Sequence, residues 1–414
     1  MRIARQKYLD QLIAGMGNGL VKVVTGVRRC GKSYLLFELF KQHLLTYGVP
    51  EENIVEVAFD EYESKSLRDP DVFYPWAKER LATEGERFVL LDEVQLLKDF
   101  EEVLIGLMRM PGVDVYVTGS NAKLLSKDVI TEFRGRGQEI RVRPLSFSEF
   151  MGAYAGDARR GYEEYSVFGG MPATVGMTPE GKAAYLQGLF DEIYINDIVE
   201  RNGVRDAGEL GVLLDVLSSG VGSLTNPKKV SDTFKSKGSA LSPKTARAYI
   251  DHFIDAFIVE EAKRFDVKGR GYIGSPFKYY FCDMGLRNAR MNFRQVEPSH
   301  SMENVIYNEL AGRGFNVDVG VVSAFSKNAE GKSVRASLEI DFVCNKGDRR
   351  FYIQSAYAIP DQAKMDQELA SLKKVGDSFE KVVVVREPIV PRRDKSGFLF
   401  IGVEDFLLDG SYMD

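Results

Sequence analysis

The sequence predicts an α/β fold that begins with a five-stranded parallel sheet. Up to about residue 148, apolar runs alternate with helical stretches, as expected for strands joined by crossover helices. A glycine-rich segment follows the first predicted strand, and an acidic pair follows the third. Ligands of open α/β sheets bind at the carboxyl ends of the strands, so both segments lie where a site is expected. The predicted strands are residues 21–25, 54–59, 88–91, 113–118 and 140–145.

The segment after the first strand has the sequence of a phosphate-binding loop. Its glycines let backbone N–H groups converge on phosphates, Lys32 reaches the β and γ oxygens, and Ser33 offers a hydroxyl to Mg²⁺. A strand precedes this loop and a helical run, residues 34–47, follows it, which is the context that the motif requires. The sequence therefore predicts a site for ATP with Mg²⁺. The residues assigned to nucleotide binding are Gly26, Val27, Arg28, Arg29, Cys30, Gly31, Lys32, Ser33 and Tyr34.

Asp92 and Glu93 end the third predicted strand and are expected at the same edge of the sheet. We predict that Asp92 helps to hold Mg²⁺ through its water shell and that Glu93 orients and polarises the attacking water. Ser120 and Asn121 follow the fourth strand. In the P-loop class with an extra strand between the loop strand and the acidic strand, a polar residue here senses the γ-phosphate. Either residue fits that role, and ordinary loop chemistry is the alternative.

Length and composition set the broad class. A chain of 414 residues predicts two to three domains, and a net charge of −5 argues against a basic surface over the whole chain. The N-terminal residues have no apolar signal core and no apolar run is long enough to span a bilayer, so we expect a cytoplasmic protein without a membrane partner. Three distant cysteines support neither a disulfide framework nor a zinc cluster.

The chain becomes helical after residue 150, and we predict residues 151–207 to be a helical connector or lid. Residues 208–295 have the pattern of three helices and a hairpin, which suggests a winged helix that contacts duplex DNA. Asp251 and Asp255 on its third helix would repel DNA, so a lid or packing role is the alternative. The basic residues of this region are Lys228, Lys229, Lys235, Lys237, Lys244, Arg247, Lys268 and Arg270.

Residues 296–414 have the layout of a metal-dependent nuclease core, in which a helix acid and a strand acid hold Mg²⁺ beside a lysine. Glu303 and Asp341 occupy the acidic positions. Gln354 stands where a second strand carboxylate is expected, and Ala356 stands where the lysine is expected. A neutral amide coordinates metal weakly and alanine cannot assist a water molecule, so we predict a nuclease-like fold without nuclease activity.

With these motifs, nearly the whole chain resembles the AAA-superfamily ATPases of bacteria and archaea that are described as archaeal-type ATPases. The resemblance implies a P-loop AAA-type ATPase domain in residues 1–150, a winged-helix middle and a restriction-endonuclease-like C-terminal fold whose catalytic pattern is often degraded. The matching segments are residues 25–33, 90–95, 118–121, 133–136, 143–147, 169–172, 278–286 and 340–357.

The resemblance also implies a role for Arg134 and Arg136. In the superfamily, a finger arginine from a neighbouring subunit often projects from the turn that these residues occupy, where it stabilises the transferred phosphoryl group. Such a role implies a homo-oligomer. A surface turn or a structural ion pair is the alternative.

Two classes of function fit these observations. In the first, the chain hydrolyses ATP and couples the nucleotide state to domains that act on DNA. In the second, it is a nucleotide-gated switch or scaffold whose C-terminal domains bind protein partners. The basic residues of 208–295 favour the first class, whereas the acidic net charge and the lysine missing from position 356 favour the second.

Overall fold

The computed structural model describes residues 3–119, 135–190, 195–236, 241–294, 296–327 and 333–413. The chain folds into two compact units. The first contains residues 1–144 with 255–257, and the second contains residues 145–254 with 258–414. The division into 1–150, 151–207, 208–295 and 296–414 stays a prediction.

The first unit is built on a five-stranded sheet, as predicted. Its strands are all parallel and lie in the order β2-β3-β4-β1-β5, which places a strand between the loop strand and the acidic strand. The strands are β1 Val21–Thr25, β2 Ile54–Ala58, β3 Arg87–Asp92, β4 Val113–Thr118 and β5 Gly137–Arg141. The helices are Gln6–Ala14, Tyr34–Phe40 continued by Lys41–Tyr47, Pro70–Arg80 and Phe100–Met108, with 3₁₀ turns at Glu51–Asn53, Lys65–Arg68 and Val94–Leu96.

The β1 side chains are all buried and β3 is buried from its second residue onward, as expected for strands covered by helices on both faces. One face carries a polar exception, because the buried Lys22 ammonium pairs with Asp114 and lies 4.5 Å from the centre of the Tyr116 ring. The strand after the loop region begins at Gly137 rather than at residue 140, and Val142 continues the contact by donating to the Thr25 carbonyl at 2.8 Å.

The second unit is built on an eight-stranded mixed sheet in the order β12-β13-β11-β10-β9-β8-β6-β7. Its strands are β6 Val259–Asp266, β7 Gly271–Phe281, β8 Asn316–Lys327, β9 Ser333–Lys346, β10 Arg349–Ala356, β11 Glu380–Val385, β12 Arg392–Arg393 and β13 Leu399–Gly402. Its helices are Phe147–Met151, Ala158–Phe168, Pro179–Gly188, Ile195–Asn202, Ala207–Ser219, Pro227–Ser236, Pro243–Asp255, Met284–Arg290, Pro298–Gly312, Gln362–Lys373 and Val403–Leu408, with 3₁₀ turns at Pro172–Thr174 and Ser411–Met413.

The hairpin predicted for the winged helix forms, but it is joined to the C-terminal sheet. Strand β6 pairs with β7 in antiparallel fashion and with β8 in parallel fashion. The hairpin is therefore one edge of the same sheet that carries β9 and β10. This pairing brings residues of the 208–295 region next to residues of the 296–414 region.

Candidate functional site

The phosphate-binding loop runs from the end of β1 to the helix at Tyr34. Gly26 has a φ of +143°, and a Cβ there would lie 2.1 Å from the Val142 carbonyl oxygen, so only glycine fits. The Lys32 ammonium is 5% exposed and donates to the carbonyls of Gly26 and Val27 at 3.1 and 3.3 Å. The lysine is thus held across the mouth of its own loop, where a phosphate oxygen would be within its reach.

Ser33 and Asp92 meet at the carboxyl edge of the sheet. The Ser33 hydroxyl donates to Asp92 Oδ2 at 2.8 Å, and the Thr118 hydroxyl donates to Asp92 Oδ1. The backbone N–H of Glu93 donates to Thr118 Oγ1 at 3.2 Å. Thr118 therefore positions both members of the acidic pair. Sequence reasoning missed this residue, although its signal was a polar side chain at the end of the strand next to β3.

Asp92 is buried, and its surroundings shift the pKa of its carboxyl. Burial raises the pKa of Asp92, and the nearby carboxylates of Glu93 and Asp60 raise it further. Hydrogen bonds from Thr118 and Ser33 lower it in part. A cation placed at this edge would lower the same pKa, because opposite charge favours the ionised carboxylate. A cation bound beside Asp92 would therefore stabilise the ionised carboxylate.

Glu93 directly follows Asp92 in the left-handed region, with a φ of +51°. Its carboxylate is half-buried and accepts a hydrogen bond from the Gln95 side chain. A non-glycine residue in this conformation costs free energy of about 1–3 kcal/mol, and such strain is typical of functional sites.

The donor set fits Mg²⁺ bound together with phosphates. Mg²⁺ prefers oxygen ligands and is usually held by one or two protein groups, with water and substrate phosphates completing the shell. Ser33 Oγ and Asp92 Oδ2 are such oxygens and already lie 2.8 Å apart. In the described part of the chain, no group of three or more histidine, cysteine, aspartate or glutamate residues is placed to hold a metal.

The remaining residues predicted for the nucleotide site differ in exposure, and some of them lie outside the described residues. Arg28 and Arg29 are exposed on the loop, Cys30 is fully buried beneath it, and Tyr34 is half-buried at the start of the helix. Asn121 and Arg134 lie outside the described residues, as does Ser120.

Arg136 does not lie at the site of its own chain. It is exposed, and its carbonyl accepts the Val21 N–H at 2.8 Å, which places it at the amino edge of the sheet. The length of β1, about 16 Å, separates that edge from the phosphate-binding loop. Within one chain, Arg136 is therefore too far from the loop to contact a phosphate there.

The second unit contains a separate cluster of charged side chains. The Lys278 ammonium, 3% exposed, lies 2.8 Å from Glu303 Oε1, 2.7 Å from Glu339 Oε1 and 3.9 Å from Asp341 Oδ1. The Tyr280 hydroxyl donates to Glu303 at 2.6 Å, and the Ser355 N–H donates to Asp341 at 2.8 Å. The structure thus brings Glu303 and Asp341 together, around a lysine.

Lys278 is a lysine at this cluster that the sequence interpretation did not identify, since it expected the lysine at position 356. Burial disfavours the ammonium, yet the carboxylates of Glu303, Asp341 and Glu339 outweigh it and raise the pKa of Lys278. Burial and the charge of Glu303 raise the pKa of Asp341 well above its usual range. The cation therefore lies among the carboxylates that a nuclease would use for metal. A charged residue in the apolar segment 277–282 was the available signal.

Comparisons with known proteins bear on both halves of the chain. A family model described as an AAA domain matches residues 18–151, and one described as a domain of unknown function matches residues 159–297. An uncharacterized protein of Haemophilus influenzae is 33% identical over 412 residues, which are 98% of each chain. An uncharacterized protein of Methanocaldococcus jannaschii is 26% identical over 93% of this chain and 85% of its own.

Among solved structures, the Walker-type ATPase of Pyrococcus abyssi is similar with a TM-score of 0.49 and 16% identity. The similarity covers 70% of this chain and 96% of that one. Among the residues that the structure describes, no helix combines the length and apolar character needed to cross a membrane.

Proposed function

We propose that the chain hydrolyses ATP with Mg²⁺ in the cytoplasm and uses the hydrolysis cycle to act on nucleic acid. The chain belongs to a family of AAA-superfamily P-loop proteins that includes the Haemophilus influenzae relative. The observation that carries the ATPase part is the contact between Ser33 Oγ and Asp92 Oδ2 at 2.8 Å, beside the buried ammonium of Lys32. Loop lysine, loop hydroxyl and strand carboxylate converge from two strands that are not adjacent in the sheet.

Each residue has a distinct task in this proposal. The loop N–H groups and Lys32 hold the β- and γ-phosphates, and Lys32 exchanges its carbonyl partners for phosphate oxygens. Ser33 and Asp92 hold Mg²⁺, which when bound neutralises charge on the phosphates. Glu93 accepts a hydrogen bond from the attacking water and orients it toward the γ-phosphate. Thr118 keeps Asp92 and Glu93 in their relative positions.

Arg136 supplies the finger in this proposal from a neighbouring copy of the chain. Its position at the amino edge of the sheet, away from the loop of its own chain, supports action across an interface between subunits. A guanidinium that reaches the transferred phosphoryl group stabilises the charge that develops there. Homo-oligomerisation is therefore part of the proposal.

The nucleotide site is tested by replacing Lys32. In equilibrium titration with a fluorescent ATP analogue in the presence of Mg²⁺, Lys32→Ala is expected to lower the affinity for the analogue, because it removes a direct phosphate contact. Lys98→Ala is the matched control, since Lys98 is an exposed lysine of the same unit outside the loop. Equal affinity of Lys32→Ala and the control would contradict the assignment of the phosphate-binding loop.

Action on nucleic acid is tested separately from nucleotide binding. ATP turnover of the intact chain is measured with and without single-stranded and duplex DNA. The proposal predicts that DNA raises turnover. Turnover that no DNA changes, but that a protein partner changes, would instead favour a nucleotide-gated switch or scaffold.

A further inference from the structure

A basic cleft lies in the second unit, at the edge of the sheet where three turns meet. Its cavity has a volume of about 650 Å³. The walls come from the β6–β7 turn, the β9–β10 turn and the segment after helix Gln362–Lys373. We use the name basic cleft for this cavity because its charged walls are mostly cationic. The cationic side chains are Lys268, Arg270, Arg349, Arg350 and Lys374, and the acidic ones are Asp348 and Asp377.

Arg350 is held in place at the wall of the cleft. Its Nε donates to Asn345 Oδ1 at 2.7 Å, and its guanidinium carbon lies 5.4 Å from the ring centres of both Phe265 and Phe379. These contacts fix the plane of the guanidinium. A planar guanidinium fixed in this way is suited to a phosphate, which it can bind through two parallel N–H donors.

Three other cations of the cleft are available to an anionic ligand. Lys268, Arg270 and Lys374 are exposed, and none of the three has an ion pair within the described residues. The Asp377 carboxylate lies 3.8 Å from the ammonium of Lys381, which is not part of the cleft wall, so part of its charge is already balanced outside the cleft. The local balance is therefore positive, although the chain as a whole carries a net charge of −5.

Two basic residues on the helices of the predicted winged helix, in contrast, form ion pairs. Lys228 pairs with Asp232 at 2.9 Å, and Arg247 pairs with both Asp251 and Glu261. Cations that are already paired contribute less to binding of an anionic polymer, because counterion release requires free charge. Two cations of those helices are thus already paired, whereas Lys268, Arg270 and Lys374 of the cleft have no ion pair in the described residues.

We propose that the basic cleft binds single-stranded nucleic acid, with a phosphate on Arg350 and a base against the exposed part of the Phe379 ring. Phe379 is 39% exposed beside the bound guanidinium. Free cations next to an accessible aromatic ring are the combination that single-stranded nucleic acid recognises, through its backbone and its unstacked bases. A cavity of about 650 Å³ has room for about one or two nucleotides. This inference rests on the proposed function, since it names the polymer on which the ATPase acts.

The test measures binding of the intact chain to a labelled oligothymidylate by fluorescence anisotropy, without ATP. Lys374→Glu and Phe379→Ala are each expected to lower the affinity about tenfold. Lys374→Glu is also expected to flatten the dependence of log K on log salt by about 0.7 or more, the value for one lost contact to a single strand. Both side chains are exposed, so these variants test the cleft even if Arg350→Ala fails to fold.

Lys244→Glu is the matched control. Lys244 is an exposed lysine with no ion pair in the described residues, and it lies on helix Pro243–Asp255 of the predicted winged helix. Its reversal is expected to leave the affinity unchanged. An equal loss in Lys244→Glu, an unchanged affinity in the cleft variants, tighter binding of the matching duplex, or equal binding of thymidine monophosphate would each overturn the inference.

The outcome separates this inference from the proposed function. Full affinity in the cleft variants together with DNA-stimulated ATP turnover would overturn the cleft assignment alone. Strand binding that depends on the cleft, in a chain that does not hydrolyse ATP, would support the cleft and overturn the ATPase proposal.

Discussion

The Asp283 carboxylate accepts a hydrogen bond from the backbone N–H of Gly170 at 2.6 Å, across 113 residues of sequence. It also accepts the Leu286 N–H at 3.0 Å and so caps helix Met284–Arg290. Burial raises the pKa of Asp283 to about 6, and the backbone hydrogen bonds offset that effect only in part. The hydrogen bond joins residues 169–172 to residues 278–286, which are distant in the sequence.

The first prediction concerns the pH dependence of stability. Because the pKa of Asp283 is higher in the folded chain than in the unfolded one, its favourable contribution is fully present below about pH 4 and is lost as pH rises through about 6. The total change corresponds to about 3 kcal/mol in the free energy of unfolding. Urea unfolding of the wild type and of Asp283→Asn measures it at several pH values. Parallel pH profiles for the two proteins would refute the buried titration.

The second prediction concerns the glycine beside this carboxylate. Gly169 has a φ of +70°, and a Cβ there would lie 2.1 Å from Asp283 Oδ1. Gly176 has a φ of +81° with nothing within 4 Å of its Cβ position, so Gly176→Ala is a control for backbone strain alone. We expect Gly176→Ala to cost about 1–3 kcal/mol and Gly169→Ala to cost clearly more. Thermal unfolding compares the two, and equal losses would show that the carboxylate yields to the methyl group.

The third prediction concerns the finger. If Arg136 acts across an interface, turnover per chain rises with protein concentration. Arg136→Ala is expected to lose most activity, since a finger contributes about 10³–10⁵ in rate. Mixing Arg136→Ala with Glu93→Gln chains is expected to restore part of it, because some interfaces then combine an intact finger with an intact base.

The control for the finger experiment is Arg109→Ala, which removes an exposed arginine at the end of helix Phe100–Met108. That variant should keep wild-type turnover. Turnover independent of concentration, with no recovery in the mixture, would mean that each chain works alone and that Arg136 is an ordinary surface residue.

The fourth prediction is that the second unit does not cut DNA. Lys278 lies 2.8 Å from Glu303 and 2.7 Å from Glu339, so its ammonium is paired with the carboxylates that a metal would need as ligands. Gln354 adds no negative charge to this cluster. Linear, circular and single-stranded DNA are incubated with the chain and Mg²⁺ or Mn²⁺. Cleavage that disappears in Asp341→Asn would reverse this prediction and assign Lys278 to the catalytic lysine position.

The sequence was sufficient for the first unit because its motifs are local. Residues 26–33 form one loop, and Asp92 ends a strand whose burial is evident from its apolar run. Parallel order then places Ser33 and Asp92 at the same edge, where the structure joins them at 2.8 Å. The predicted α/β class and five parallel strands are confirmed.

The second unit required long-range information. Lys278 reaches Asp341 only because β6 pairs in parallel with β8, and nothing in the local pattern of residues 259–281 indicates that partner. The same pairing makes the predicted wing an edge of the C-terminal sheet. The basic cleft was missed for the same reason, since its walls come from three turns that are distant in sequence.

The proposed ATPase mechanism is tested most directly by the ATP turnover of Glu93→Gln, compared with that of Glu86→Gln. Glu86 is an exposed glutamate just before β3. The Glu86→Gln substitution therefore removes the same charge at the opposite end of the same strand. We expect Glu93→Gln to bind ATP normally and to lose turnover by a factor on the order of 10²–10⁴, whereas Glu86→Gln hydrolyses ATP at the wild-type rate. Wild-type turnover in Glu93→Gln would contradict the proposed role of Glu93 as the base.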